Sequence, residues 1–271
     1  MNKIVIASDS FKGSLSSIEV AEAAAAGIRK TYPSCEIICL GMGDGGEGTC
    51  EAIAHTRSCK WVNIKVNDPL GRTCSAKYAI YEDEDGPSAI IEMAQASGLT
   101  LLSTDELNPL QTSTFGTGQM IMDAFSRGCR RFIIGLGGSA TNDGGTGMLE
   151  AMGFRFMDST GKPISGCCGQ KLSAITSIDT SMVPEELLSS SFTVICDVET
   201  PFYGKQGATR VFAPQKGADS EMVAVLDEKL KYIASFTEKQ TGNNYYDIKG
   251  AGAAGGMGFG VCAFLGGSLK P

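Results

Sequence analysis

The chain has 271 residues, 42% of them hydrophobic, enough for one large or two modest domains around a sizeable core. Its 23 basic and 30 acidic residues leave a net charge of −7, which argues against a nucleic-acid partner, because such affinity comes mainly from neutralising phosphates. No basic-then-apolar leader opens the sequence, and no apolar run approaches the roughly 20 residues of a membrane span, so a cytoplasmic protein without a membrane partner is expected.

In chain order, Lys3-Ile4-Val5-Ile6-Ala7-Ser8 reads as a short β-branched strand and Asp9 to Ser14 as a polar loop. Ser16 and Glu19 have the spacing of a capping box, opening an alanine-rich helix over Val20 to Arg29 that is closed by Pro33. Glu36 to Leu40 is a second strand, and Asp44-Gly45-Gly46-Glu47-Gly48 its loop. Strand, loop, helix, strand is the grammar of a parallel α/β sheet with ligand loops at strand C-termini. Glu51 to His55 looks helical, and the single His55 reads as an ordinary helix-end residue. A Ser-His-Asp hydrolase is disfavoured, since that chemistry needs a histidine with partners.

From about Trp61 the texture changes. Val62 to Val66, Ala76 to Tyr81 and Pro87 to Met93 alternate as an antiparallel meander. Gly118 to Arg127 is an amphipathic helix. Arg131 to Ile134 is a strand leading into Gly135-Leu136-Gly137-Gly138-Ser139-Ala140-Thr141-Asn142-Asp143-Gly144-Gly145. Phe192 to Cys196 is a later strand ending at Asp197, Glu221 to Lys239 has helical spacing, and Gly250 to Gly256 opens a last Gly/Ala-rich helix. The ten cysteines are scattered and lack the paired spacing of a zinc site, so they read as reduced thiols.

The stretches Gly41 to Gly46 and Gly250 to Gly255 fit G-x-G-x-x-G, but a chain with 35 glycines in 271 residues supplies about half a match by chance. No acidic residue closes a βαβ unit at the expected offset, so a nicotinamide site is a weak alternative. There is no Walker-type phosphate loop and no protein-kinase motif set. What remains is a set of glycine-rich loops, mostly after strands, that carry carboxylates, lysines and hydroxyls: Lys12 and Lys216; Asp44, Asp143 and Asp197; Gly137-Gly138-Ser139. Bare loops with exposed N–H groups hold phosphate oxygens, a carboxylate on such a loop holds Mg²⁺ or takes a hydroxyl proton, and a lysine neutralises the transferred group. The residues alone therefore suggest phosphoryl transfer or anion binding.

These stretches resemble the bacterial glycerate kinases of the first type, the glycerate 2-kinase family. The resemblance runs through Ser8 to Ser16, Asp44 to Thr49, Asp68-Pro69-Leu70-Gly71-Arg72, Gly137 to Gly145, Cys196-Asp197-Val198, Pro214-Gln215-Lys216-Gly217-Ala218 and Gly250 to Gly256. Gly43 and Thr200 depart from it, where Ala and Asn are expected, and the family pattern continues past Pro271 with a further Gly-Glu-Gly loop. It implies ATP- and Mg²⁺-dependent phosphorylation of D-glycerate to 2-phosphoglycerate, with 3-phosphoglycerate as the other outcome. A non-catalytic fragment that binds glycerate is the alternative. It also implies two dissimilar α/β domains, one with a Rossmann- or flavodoxin-like parallel sheet, and a cleft between them. Residues 1–60 with about 246–271 would form the first and 61–245 the second. A homo-oligomer is left open.

Each candidate has a plainer reading beside its functional one. Gly137 and Gly138 are candidates for nucleotide phosphate, with Lys216, which is as readily structural. Ser10, Arg72, Ser139 and Asn142 are candidates for substrate. Arg72 is either a bidentate clamp on the glycerate carboxylate or an ion pair at a turn. Lys12, Asp143 and Asp197 are the catalytic candidates, Asp197 as general base, while Asn142-Asp143 could equally cap a helix starting near Gly144. Asp44 is the metal candidate, with Glu47 a weaker companion, although a glycine-flanked aspartate also makes a turn.

Overall fold

The computed structural model describes residues 3–11 and 14–270. The expectation at Lys12 therefore lies outside the described residues.

Strand β1 (Lys3–Ser8) runs into helix α1 (Ser17–Thr31) and strand β2 (Glu36–Gly41). The two strands pair in parallel, Lys3 opposite Glu36 through Ser8 opposite Gly41. The capping box at the start of α1 forms as its spacing predicts: the Ser16 hydroxyl accepts from the Glu19 N–H at 3.3 Å, and Glu19 accepts from the Ser16 N–H at 2.7 Å. Ser17, Ala21 and Ala25, spaced by four, form the buried face of α1 beside this two-stranded sheet. Helix α2 (Thr49–Thr56) follows the Asp44–Gly48 loop.

A six-stranded sheet then builds on β3 (Cys59–Asn67), β4 (Thr73–Asp83) and β5 (Gly86–Glu92), the antiparallel meander expected from alternation. The short helix α3 (Ala94–Ser97) and α4 (Phe115–Ser126) lead to β6 (Arg131–Gly135), and α5 (Thr146–Ala151) leaves the glycine run. A small hairpin-like pair, β7 (Arg155–Met157) and β8 (Ser177–Asp179), and helix α6 (Glu185–Leu188) precede β9 (Ser191–Ile195). Helices α7 (Ala208–Phe212), α8 (Ser220–Thr241) and α9 (Ala253–Leu265) and strand β10 (Ser268–Lys270) complete the chain. The sheet order is β10-β9-β6-β5-β4-β3, parallel from β10 to β5 and antiparallel beyond. The stretch 246–271, grouped with the first domain by the resemblance, here contributes α9 and lays β10 beside β9.

Period-two alternation sorts the sheet faces. Ala76 and Tyr78 of β4 and Ala89 and Ile91 of β5 point into the main core, with Phe132, Phe192 and the helices α4, α5 and α9. Ala79, Tyr81 and Ile90 point the other way, into a small cluster with Cys50 of α2. Phe132 and Phe192 stack at 4.9 Å and Phe202 and Phe259 at 4.0 Å, and a fully buried phenyl stabilises by about 1.5–3 kcal/mol. The largest fully buried side chains all lie at Tyr78 or later, whereas the buried hydrophobic side chains of residues 3–57 are Ala21, Ala25, Cys35, Cys50 and Ala52. All ten cysteines are free thiols, as expected. Among the described residues no helix is long and apolar enough to cross a membrane.

Candidate active site

The parallel register sets the site. Glu92, Gly135 and Ile195 are neighbours across β5, β6 and β9, so the loops that follow these strands emerge side by side at one edge of the sheet. The loop after β2 crosses in front of them. Gly137 N–H donates to the Gly45 carbonyl at 2.8 Å. A side chain on Gly137 would sit 2.4 Å from the Gly46 Cα. The bareness of the glycine run at this point is thus the condition for two loops to touch backbone to backbone.

Where they meet there is a cavity of about 110 Å³, lined by Asp44 from the β2 loop, Gly137, Gly138 and Ser139 from the β6 loop, and Asp197 from the end of β9. Phe212, Gln215, Ala253 and Ala254 close the far side. Five of the expected residues, from three separate stretches of sequence, therefore share one cavity. Asp44 turns its own loop, its Oδ1 accepting from the Gly46 N–H at 2.8 Å, while Asp197 is exposed. Ala254 has φ 54°, followed by Gly255 and Gly256, also left-handed, so the wall it forms is a turn of inverted hand ahead of the regular part of α9.

Asp143 is placed differently. It is fully buried, and its carboxylate accepts from the Thr114 N–H and hydroxyl, both at 2.8 Å, and from the N–H groups of Gly145 and Gly147 at 3.0 and 3.2 Å. Burial pushes its carboxyl pKa up, against the pull of these donors. It ties the start of α4 to the start of α5 beneath the loop and presents no surface to a reactant. Asn142 is buried beside it, donating from Nδ2 to the Thr209 hydroxyl at 3.2 Å. The Asn142 Oδ1 and the Thr141 hydroxyl are buried without a partner among the described residues.

Lys216 is also interior, 1% exposed, its ammonium donating to the Ser139 hydroxyl at 2.7 Å and the Thr141 carbonyl at 2.6 Å. It supports the loop from behind instead of reaching into the cleft. Arg72 pairs with Asp68 at 2.6 Å and with Glu106, and it does not line the cavity. Its guanidinium holds the Glu106 carboxyl down at about 2. Ser10 lines a neighbouring pocket with Glu47, Gly48 and Glu51. Sequence reasoning missed Glu92, a buried carboxylate that accepts from the Cys50 N–H at 2.7 Å and so fixes the start of α2 to the end of β5. The only signal for it was an acid closing an apolar strand. It also missed Gln215, although that residue sits inside a quoted motif.

Among the described residues no group of three or more acidic, cysteine or histidine side chains forms a metal cage. Two carboxylates lining one cavity fit Mg²⁺ all the same, because that ion is usually held by one or two carboxylates together with substrate phosphates and waters.

Comparison with known proteins decides the family. The model of the glycerate kinase family matches residues 4–271. The chain belongs to the glycerate kinase family. The glycerate kinase of Halalkalibacterium halodurans is 44% identical over 271 residues, all of this chain and 70% of that protein. The glycerate 2-kinase of Escherichia coli is 43% identical over 268 residues, 99% of this chain and 70% of that protein. A crystal structure described as glycerate kinase 2 from Salmonella typhimurium LT2 superposes with a TM-score of 0.90 at 43% identity, covering 99% of this chain and 71% of that one. This glycerate kinase family member thus spans about 70% of the length of the curated relatives it matches.

Proposed function

We propose that this chain transfers the γ-phosphoryl group of ATP to a hydroxyl of D-glycerate, giving 2-phosphoglycerate, in the cytoplasm. The observation that carries this reading is the convergence of Asp44, Asp197 and the Gly137-Gly138-Ser139 backbone on one cavity at the strand C-termini. In-line phosphoryl transfer asks a protein mainly for positioning and for groups that meet developing charge. Asp197, exposed at the cavity wall, takes the proton of the attacking glycerate hydroxyl. Gly137 and Gly138 bring backbone close to phosphate oxygens, and Ser139 adds a hydroxyl. Lys12, in the first motif, neutralises the transferred group, and Ser10 beside it contacts glycerate. Asp44 would hold Mg²⁺, which when bound to ATP supplies positive charge against the phosphates.

The remaining candidates act from behind the reacting atoms. Asp143 holds the glycine run to α4 and α5, Asn142 braces it against α7, and Lys216 supports Ser139. Residues 1–60, the N-terminal part of the proposed first domain, carry the β2 loop, which would close onto the β6 and β9 loops of residues 61–245. Closure excludes water, whose attack would waste ATP.

A coupled ADP-release assay with ATP, Mg²⁺ and D-glycerate, with a phosphorus NMR spectrum of the product, tests this. Glycerate-dependent ADP release is expected, and the spectrum distinguishes the 2- from the 3-phosphate. D-Glycerate binding without ADP release would instead favour the non-catalytic reading.

A further inference from the structure

Lys216 ends a tight turn, Pro214–Lys216, and is the one lysine among the described residues buried to 1% exposure. Taking an ammonium out of water is costly, so a lysine kept there needs a reason. No carboxylate pairs with it directly among the described residues. Asp143, on the buried side, is the acid whose charge reaches it. Two of its three donors are spent on the Ser139 hydroxyl at 2.7 Å and the Thr141 carbonyl at 2.6 Å.

The direction of the first bond matters. An ammonium has donors and no lone pair. The Ser139 oxygen must therefore accept, and its own proton must point elsewhere. Among the described residues no protein group takes that proton, and Ser139 lines the cavity that also holds Asp44 and Asp197. We infer that Lys216 is a positioning residue that acts through Ser139, locking the serine hydroxyl as a hydrogen-bond donor aimed at an anionic oxygen in the cleft, the carboxylate of glycerate or a phosphoryl oxygen of ATP. This rests on the glycerate kinase reading of the cleft and assigns the loop a polarity that reading does not require.

The lock has a pH limit. Burial pulls the Lys216 pKa down to about 7, opposed by Asp143. Once neutral, the amine has a lone pair and can accept from Ser139, so the hydroxyl proton turns inward and the cleft loses its donor. Among the described residues, the other titratable groups lining the cavity with Ser139 are Asp44, Asp197 and Cys196. A carboxylate accepts hydrogen bonds and offers none, so neither aspartate replaces the lost donor.

The test is calorimetric titration of the chain with D-glycerate and, separately, with a non-hydrolysable ATP analogue, from pH 6 to 9. The Lys216 midpoint is read without ligand by NMR on ¹³Cε-lysine-labelled protein. The expected result is that one of the two ligands loses affinity above the Lys216 midpoint by up to about tenfold per pH unit, as one linked proton requires. Ser139→Ala should weaken that ligand by about tenfold, the worth of one hydrogen bond to a charged group, and abolish this pH dependence. Any titration of the ligand itself cancels between wild type and variant. Lys216→Met should match Ser139→Ala, and the double variant should be no weaker than either. Should Lys216→Met fail to fold, Ser139→Ala, which removes only an oxygen, decides alone. Affinity and pH dependence left unchanged by Ser139→Ala, or additive losses in the double variant, overturn the inference. Failure of wild type to bind either ligand at any pH overturns the kinase reading, and the inference with it.

Discussion

The Gly137 N–H donates to the Gly45 carbonyl at 2.8 Å, so the loop after β6 and the loop after β2 are joined through backbone alone. Across this joint, Asp44 comes to share a cavity with Gly137, Gly138 and Ser139. Two segments 92 residues apart in sequence meet here because neither side carries a side chain to hold them off.

Gly137→Ala would place a Cβ 2.4 Å from the Gly46 Cα, closer than packing allows. One loop must move. A loss of about 1–3 kcal/mol in chemical denaturation is expected, with a larger proportional loss of turnover because Asp44 shifts relative to Asp197. Unchanged turnover would show that the joint does not set the site.

Asp197→Asn keeps the shape of an exposed side chain and removes its basicity. Turnover should fall about 10²–10⁴-fold in the ADP-release assay, as loss of a general base does, while stability changes by less than about 0.5 kcal/mol. Activity within threefold of wild type would remove Asp197 from the role of base.

Asp143→Asn should behave in the opposite way. Its carboxylate accepts four hydrogen bonds in the interior, and an amide turns one acceptor into a donor facing donors. A loss of about 3 kcal/mol is expected, or roughly 6–12 °C in melting temperature. A variant that melts as wild type does would contradict the clamp.

Two pH effects lie at opposite ends of the range, and in both stability rises with pH. Glu106, held at about 2 by Arg72, loses its contribution as pH falls from its ordinary value near 4.5 towards 2. The native state binds fewer protons than the unfolded chain across that window, so stability drops on acidification, and Arg72→Ala should flatten the slope of melting temperature against pH there.

Lys216 works at the alkaline end. Its folded pKa, about 7, lies below the ordinary lysine value near 10.5, so between the two the unfolded chain holds the extra proton. Stability of the ligand-free protein should therefore gain a rising component from pH 7 upward, which Lys216→Met removes. Thermal melts of both proteins in matched buffers check this. Loss of ligand affinity over the same range, with stability rising, separates the functional effect from unfolding.

The sequence made the strand ends legible, because β-branched runs stopped at glycine and aspartate, and the loops after those strands form the cavity. It made α1 legible through Ser16 and Glu19. It did not reveal α2 and α5 sharply, since their N-caps are Gly48 and Gly145, which offer no side-chain signal. Nor did it reveal the three-residue strands β7, β8 and β10, too short for any period to register. The depth of Asp143 and Lys216 was hidden because their partners come from afar, Thr114 29 residues before Asp143 and Ser139 77 residues before Lys216. The fate of Arg72 turned on Glu106, 34 residues on, which carries no mark of that pairing.

The uneven distribution of large buried side chains has a consequence for opening. Residues 3–57 are held inward by alanines and cysteines, while Phe132, Phe192, Phe202 and Phe259 anchor what lies behind β6 and β9. Local unfolding is cheapest where little apolar surface is buried. Asp44 therefore rides on the segment that yields first, and Ser139 and Asp197 on the segment that yields last. A reactant can enter by loosening the light wall of the cleft while the heavy wall keeps its geometry, so breathing and precision are divided between the two sides of a single pocket.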